Sequence, residues 1–432
     1  MAAFDANTVL FKLNGKAAKS GDKIVLGTYT DAGGKPVSYE ITPKDGYRFD
    51  CLIVTDVRGK QQIVTAPAGE VEVSGESTLT VCMIKDGASV KTEPCISAGG
   101  SELFAVTADG VLYAWGGNSA GAMGIAPGTY SRPVKLLTGV RSVYTAQGGS
   151  TGDAPFTYVI TADGRVLTAG NNAYGQLGRT GNGNAFAPIK LPAGGAVKEI
   201  SLGFDHALMV MEDGTLWGIG NNAYSQLGSI GADRSSKWVK IADKVVSAAA
   251  GRRHTLYVTS DGSLYALGDN RWGKLSSTGP EVLATPLKLA SNARAAFAGE
   301  HSALYIDNDN VLYYIGTRAN MISGGATGKA NRLFSNVQSV SMQEGHALIL
   351  TVDGNLYGWG ENGYGQVDPA RSGNQGTPVL IIKGCAAAGA GAGYSVYIDG
   401  SGKVTAWGAN SSGIAGKGAL SEKVNKSEIT LS

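Results

Sequence analysis

The chain's four histidines are the residues whose type and spacing first suggest chemistry. His206 and His254 close a Gly-x-x-His signature that begins at Gly203 and Gly251. His301 and His346 stand at related places with altered spacing, since Gly299 lies two residues before His301 and Gly345 directly precedes His346. Imidazoles in register are the raw material of a metal ring or of a general acid–base cluster. Their surroundings argue against both. Each falls in a different copy of a repeat, whereas ligands to one ion must converge on it. The spacing therefore predicts a single structural slot used four times, with each ring bonding backbone. Glu102, Phe156 and Tyr394 take the same slot in three further copies.

The repeat itself is marked by Asp-Gly at Asp109, Asp163, Asp213, Asp261 and Asp353, with Asp309-Asn310 and Ser401-Gly402 as variants. Successive copies are 54, 50, 48, 48, 44 and 48 residues apart. A period near fifty residues held over seven copies means a radial or solenoid array. Apolar residues alternate into and out of each dipeptide, as from Leu103 to Gly116, which predicts β-hairpins with two-residue type I′ turns. The exit strands end in pairs such as Trp115-Gly116, Trp359-Gly360 and Trp407-Gly408, and a glycine there suits a sharp backbone bend. A third stretch follows, clearest at Asn172-Ala-Tyr-Gly-Gln-Leu-Gly178 and lost in the fifth copy around Thr317 to Met321.

These three signatures at this period resemble the regulator of chromosome condensation repeat from about Ser97 to Ser432. The resemblance implies a seven-bladed β-propeller with four-stranded blades. It also implies a ring closure in which the last strands help to complete a blade begun at the start. Glu428-Ile-Thr-Leu431 resembles Pro133-Val-Lys-Leu136 and would supply such a strand before Cys95-Ile-Ser97.

Residues 1–90 do not follow the repeat and read as a small all-β module, immunoglobulin-like, with strands at 8–13, 23–29, 38–42, 51–57, 62–66 and 78–83. Residues 91–432 then form the propeller, entered through a linker at 85–94. Within the module, the stretch from Ile41 to Asp56 is similar to small β repeats of bacterial surface proteins and phage fibres. The expected class is all-β, a β-sandwich followed by a propeller.

Composition narrows the functions. Glycine supplies 64 of 432 residues, and because it recurs with the repeat it argues for many turns and not for disorder. A net charge of +2 with no basic stripe does not predict nucleic-acid binding. No apolar run is long enough to span a membrane, and the start lacks the basic and apolar regions of a secretory signal. Cys51, Cys82, Cys95 and Cys385 form no Cys-x-x-Cys pair, so zinc and thioredoxin-like chemistry are not expected. A Cys51–Cys82 bridge and buried free thiols both remain open. Serine-elbow, zincin and phosphate-loop motifs are absent. Gly389-Ala-Gly-Ala-Gly393 imitates a dinucleotide loop but falls in a strand-to-turn slot. No catalytic residue, metal or cofactor is expected.

Strand alternation puts the Gly-x-x-His turns and the Asn-x-x-Gly-Gln-Leu loops on one face, and the Asp-Gly hairpins on the other. The first face carries the candidate binding residues. Gly148, Thr151, Asp153 and Pro155 lie in an insertion between the first two copies, and Tyr174, Tyr224, Trp272 and Tyr364 recur in the adjoining loops. Such aromatics stack on sugars, anchor protein partners or wedge between blades. The expected function is a non-enzymatic binding protein of bacteriophage virion type, made in the host cytoplasm. Residues 1–90 would hold other virion or surface proteins, and the propeller would present a face to a protein or glycan. The family resemblance implies an alternative, a cytoplasmic regulator of a small GTPase, because the family's founder exchanges nucleotide on a Ran-type GTPase and docks on chromatin. A glycan-cleaving propeller enzyme is the third reading.

Overall fold

A computed structural model describes all residues except 21–34, 74–76, 87–92, 149–154, 182, 193–194, 317–326, 344 and 432, and leaves the side chains of Lys35 and Trp272 undescribed. Two β units are present. Seven four-stranded antiparallel sheets occupy 95–137, 140–188, 197–242, 245–290, 293–334, 337–383 and 385–429, each built from four consecutive strands. The third blade shows the logic. Its innermost strand is Val197–Leu202, followed by His206–Met211, Leu216–Asn221 and the outer strand Arg234–Ala242. The second strand, His-Ala-Leu-Met-Val-Met, is buried at every position because a neighbouring blade covers each of its faces. Continuous apolar runs are what such strands require. The outer strand has solvent beyond it and reads mostly polar.

The Asp-Gly hairpins turn through three residues and not through a two-residue type I′ turn. Gly110 N donates to Thr107 O at 2.8 Å, Thr107 N donates to Val111 O at 3.0 Å, and Gly110 sits at φ +77. This is a type I turn followed by a glycine bulge, so only the glycine needs a left-handed backbone and the aspartate does not. The aspartate caps the turn instead: Asp213 accepts Thr215 N at 2.9 Å and Asp261 accepts Ser263 N at 3.0 Å. In the two variant copies the acid has moved two residues upstream, where Asp307 accepts Asp309 N and Asp399 accepts Ser401 N. The turn survives there although the dipeptide is lost.

Ring closure differs from the expectation. Ser421–Ile429 pairs with Val404–Asn410 and finishes the seventh blade, while Cys95–Ala98 opens a first blade that Thr129–Leu137 completes. Every copy begins at its innermost strand and ends at its outer one, so no strand is left to cross the seam. The likeness of Glu428–Leu431 to Pro133–Leu136 is that of two outer strands. Packing closes the ring. Tyr394 Oη donates to Glu102 O at 2.6 Å, Trp115 Nε1 to Ile414 O at 2.9 Å, and Ala392 N to Gly99 O at 3.1 Å. Leu103, Trp115, Tyr394, Val396 and Ile414 form one buried cluster across the joint.

The amino-terminal module is two four-stranded sheets over a shared core that includes Phe4, Phe11, Val37, Leu52, Leu79 and Val81. Its strand order is not that of an immunoglobulin sandwich, in which the last two strands lie side by side. Here Thr78–Lys85 pairs with Tyr47–Thr55 and, in parallel, with Ala2–Ala3, whereas Ala68–Val73 joins Lys35–Pro43 in the other sheet. The expected strand at 23–29 lies outside the described residues. Cys51 and Cys82 face each other across the pair as buried free thiols. The sulfur of Cys82 and burial together push the Cys51 thiol up.

The module is docked on the rim of the first two blades. Thr138 Oγ1 donates to Asp50 at 2.7 Å, Gln61 exchanges two hydrogen bonds with the Lys135 backbone, and Ala126 N donates to Thr78 Oγ1 at 3.1 Å. Arg165 joins the units electrostatically, pairing with Asp5 of the module and with Asp163 at 2.7 Å, while Tyr47 Oη donates to Asp163 at 3.3 Å. Burial would raise the Asp163 carboxyl, but the Thr161 hydroxyl and Arg165 outweigh it and hold the group below its usual value. A carboxyl depressed by folding stabilises above its unfolded value and loses that contribution as pH falls through the folded one. Arg165→Ala is therefore expected to cost about 2 kcal/mol and to speed proteolysis of the module at pH 7. In the native chain, module stability should fall below about pH 4. Unchanged digestion and melting in the variant would contradict this role for Arg165.

Candidate binding face

The Gly-x-x-His slot is the residue opposite the bulge glycine of the third strand: Glu102, Phe156, His206, His254, Ser302, His346 and Tyr394 oppose Gly116, Gly170, Gly220, Gly268, Gly316, Gly360 and Gly408. Gly220 sits at φ +107, and a Cβ there would lie 2.4 Å from Asp205 O and 2.9 Å from His206 Cα, so no other residue fits. His301 is not in the slot. It precedes Ser302, is partly exposed, and lies 3.3 Å from Glu300. Counting three residues from Gly299 reaches Ser302, which is the spacing that Gly203 and Gly251 set.

The bonds made by the slot residues run between blades. His206 Nε2 meets Thr255 Oγ1 at 3.2 Å, and that hydroxyl donates to Gln226 O at 2.8 Å. His346 Nε2 meets Ser395 Oγ at 3.0 Å, which donates to Gln366 O at 2.7 Å. Each hydroxyl has spent its proton, so the imidazole must donate through Nε2. His254 Nε2 faces the Ser302 carbonyl at 3.2 Å and donates likewise. The expected backbone bond thus holds for His254 alone, while two rings use hydroxyls of the next blade. Burial lowers His206 to about 3 and His346 to about 4, and holds His254 well below the usual range. These are neutral cross-braces.

The face these turns share has a bridged centre. The innermost strands line a cavity of about 330 Å³ with alanines, larger side chains such as Tyr144, Phe297 and Met342, and Glu199, whose carboxyl burial raises to about 7. From the enlarged second-blade turn, Gln147 Nε2 reaches across to Ala298 O at 2.6 Å, and Gln343 Nε2 donates to Gly148 O at 3.2 Å. Pro155 O accepts Asn171 N at 3.0 Å at the start of the next strand. Thr151 and Asp153 lie outside the described residues.

Around this centre Tyr224 and Tyr364 lean on the following blade. Tyr364, 45 % exposed, packs against Gly393, and Tyr174 is half-buried. Trp272 starts no strand and sits in the single 3-10 turn Arg271–Gly273. Tyr224 differs: the guanidiniums of Arg253 and Arg271 lie 4.6 Å and 4.7 Å from its ring centre. Arg252 lies 4.8 Å over Phe204 and pairs with Glu300. His301, then Arg252, hold the Glu300 carboxyl down at about 2 against its burial. Arg271 grips Asp269 through two bonds of 2.9 Å, and the wholly buried Lys274 reaches the same carboxylate at 3.0 Å. Asp269 and Lys274 replace the neutral pairs Asn171 with Gln176 and Asn221 with Gln226 of the preceding blades. The candidate aromatics were visible in sequence, but this charged cluster was not singled out. Its signal is an Arg-Arg pair at the two variable positions of one Gly-x-x-His turn.

On the opposite face, Asp109, Asp213 and Asp261 bond residues of their own turns, Asp353 accepts Asn355 Nδ2 at 2.7 Å, and Asp163 joins the module.

The fold defines the class first: a seven-bladed β-propeller with side-chain closure and cross-braced blades. Its repeats define the family. The regulator of chromosome condensation (RCC1) repeat matches residues 163–210 and 213–258, and a second form of it matches 197–226, 245–273 and 337–366. The propeller thus carries regulator of chromosome condensation repeats over 163–273 and 337–366. Among similar proteins, probable E3 ubiquitin-protein ligase HERC6 of Homo sapiens is 34% identical over 120 residues, 26% of this chain and 11% of the ligase. RUG3, a mitochondrial RCC1 domain-containing protein of Arabidopsis thaliana, is 34% identical over 101 residues, 23% of this chain and 22% of that protein. The chain therefore spans a tenth to a fifth of the length of these relatives. Human WBSCR16 superposes with a TM-score of 0.62 at 16% identity over 81% of this chain and 100% of its own. Prp20p from Saccharomyces cerevisiae does so at 0.62 and 20% identity over 73% and 85%. These two share the fold. Among the described residues no helix is long and apolar enough to cross a membrane.

Two outcomes test the slots. The three buried imidazoles stay neutral when folded and take up protons once unfolded. Their contribution is full above about pH 6.5 and is lost as pH falls toward their folded values. Each should withdraw up to about 1.4 kcal/mol per pH unit in that window, and His206→Gln should shallow the slope of unfolding free energy by about one proton. An unchanged slope would refute neutral burial. Asp269→Asn should cost about 3 kcal/mol by stranding Lys274. The double variant Asp269→Asn with Lys274→Gln should recover to within about 1 kcal/mol of the native chain, as read by denaturant melts.

Proposed function

We propose that this chain is a non-enzymatic protein-binding propeller whose working surface is the face of the Gly-x-x-His turns. One observation carries the reading: the aromatic and arginine side chains of the loops meet on that face, while the opposite face gives up its second-blade hairpin to the module. The bridge across the cavity at Gln147 and Gly148, the exposed Tyr364 and the Arg252–Arg253 turn all lie there. A surface with aromatic and arginine anchors suits a protein ligand. Support also comes from structural neighbours, since Prp20p is described with binding properties to Gsp1p and histones, and yeast RCC1 in complex with Kap60. From these we carry over the class of ligand only.

Two narrower readings accompany it. Regulation of a small GTPase follows from the family resemblance, and it predicts accelerated nucleotide release from a panel member. Placement in a bacteriophage virion follows from the fibre-like stretch Ile41–Asp56, and the module retains an outer strand, Gln61–Val64, with Ile63 46% exposed for neighbouring subunits. Antibody labelling of purified particles would decide the latter.

The main proposal is tested with a photo-crosslinking residue placed at Ala223 or Ser372, exposed on the proposed face, and at Glu212 or Ser401 on the other. Protein adducts are expected from the first pair. Adducts from the second pair alone, or glycan-array binding without protein adducts, would overturn it.

A further inference from the structure

Blade four concentrates arginine where the other blades are bland. The two variable positions of its turn are Arg252 and Arg253, whereas the seventh blade has Ala392 and Gly393 and the first has Gly100 and Ser101. Together with Arg271 and Lys274, they bring four cations around two carboxylates, Asp269 and Glu300. Most of that charge is used internally. Arg252 pairs with Glu300, while Arg271 and Lys274 share Asp269. Arg253 is different. Its guanidinium stacks 4.6 Å from the Tyr224 ring centre, and among the described residues it makes no hydrogen bond or ion pair. The ring holds a planar, weakly hydrated cation in one orientation with its donor fork unused. Arg271 shares that ring and is itself fixed through Asp269. A preorganised fork of this kind matches a carboxylate in bidentate geometry.

We propose that Arg253, stacked on Tyr224 and flanked by Arg252 and Arg271, is the docking point for an acidic peptide segment of a partner protein. The inference rests on the protein-binding reading of this face and names the chemistry of the ligand. Spacing favours a peptide over a nucleic acid. Asp269 and Glu300 lie among the cations, so a continuous run of phosphates would meet carboxylates, whereas isolated Asp or Glu side chains can select the open guanidinium of Arg253. The chain's balanced net charge of +2 points the same way.

The test uses the full chain with fluorescein-labelled octaglutamate, read by anisotropy at low and physiological salt. Salt-sensitive binding is expected, weakened about tenfold or more in Arg253→Ala. Arg253→Lys should recover part of it, because the charge remains while the stacked fork is lost. Lys237→Ala, an exposed change on an outer strand, should bind as the native chain does. Thermal melts confirm that each variant is folded. No octaglutamate binding, equal binding by Arg253→Ala, or tighter binding of an oligothymidylate of the same charge would each overturn the proposal. Crosslinked protein at Ala223 alongside such a failure would leave the binding face standing with a partner of other chemistry. Loss of both would remove the reading on which the inference rests.

Discussion

A ring of sheets must be closed by side chains when the chain supplies no strand to bridge its own ends, and that constraint organises this molecule. The joint between the seventh and first blades is held by Trp115, Tyr394 and Ile414 and by bonds to Glu102 O and Gly99 O. Each hydrogen bond contributes on the order of 1 kcal/mol net. Most of the closure must therefore come from apolar burial, led by the fully buried Trp115 and Tyr394. Elsewhere a slot side chain braces one blade to the next, through Thr255 for His206 and Ser395 for His346. At Gly116, Gly170, Gly220, Gly268 and Gly408 the slot backbone passes too close for any Cβ.

Because blades are braced near the centre, the turns and loops on that face are free to vary, and variation has a visible price only where it enters the interior. Blade four shows both cases. Its buried Lys274 could replace a glutamine only together with Asp269, since an ammonium without a counter-charge would be costly there. Arg253, lying on the surface ring of Tyr224, required no such compensation and remains available to a ligand.

Much of this was legible in sequence. The period gave the blade count, the apolar runs gave the buried second strands, and strand alternation assigned the turns to faces. The failures have physical causes. Asp-Gly is compatible with more than one tight turn, and the deciding feature was the residue two before the aspartate, whose carbonyl and amide close the bulge. His301 drew attention as a histidine, although the three-residue count from Gly299 selects Ser302. The closure was inferred from the family resemblance, whereas the phase of each copy, innermost strand first, leaves nothing to exchange. The module's strand order could not be read, because its short strands carry no repeat to set their partners. The arginine cluster was missed because it joins two turns and a loop from adjacent blades, which only folding brings together.

The central claim is that the repeat is scaffold and that binding resides where blade four departs from it. Hydrogen–deuterium exchange of the full chain with and without octaglutamate tests this most directly. The account predicts slowed exchange at 203–205, 251–253 and 268–275, with the Asp-Gly hairpins unchanged. Protection confined to the hairpins at 107–111 or 161–165, or no protection at saturating peptide, would contradict it.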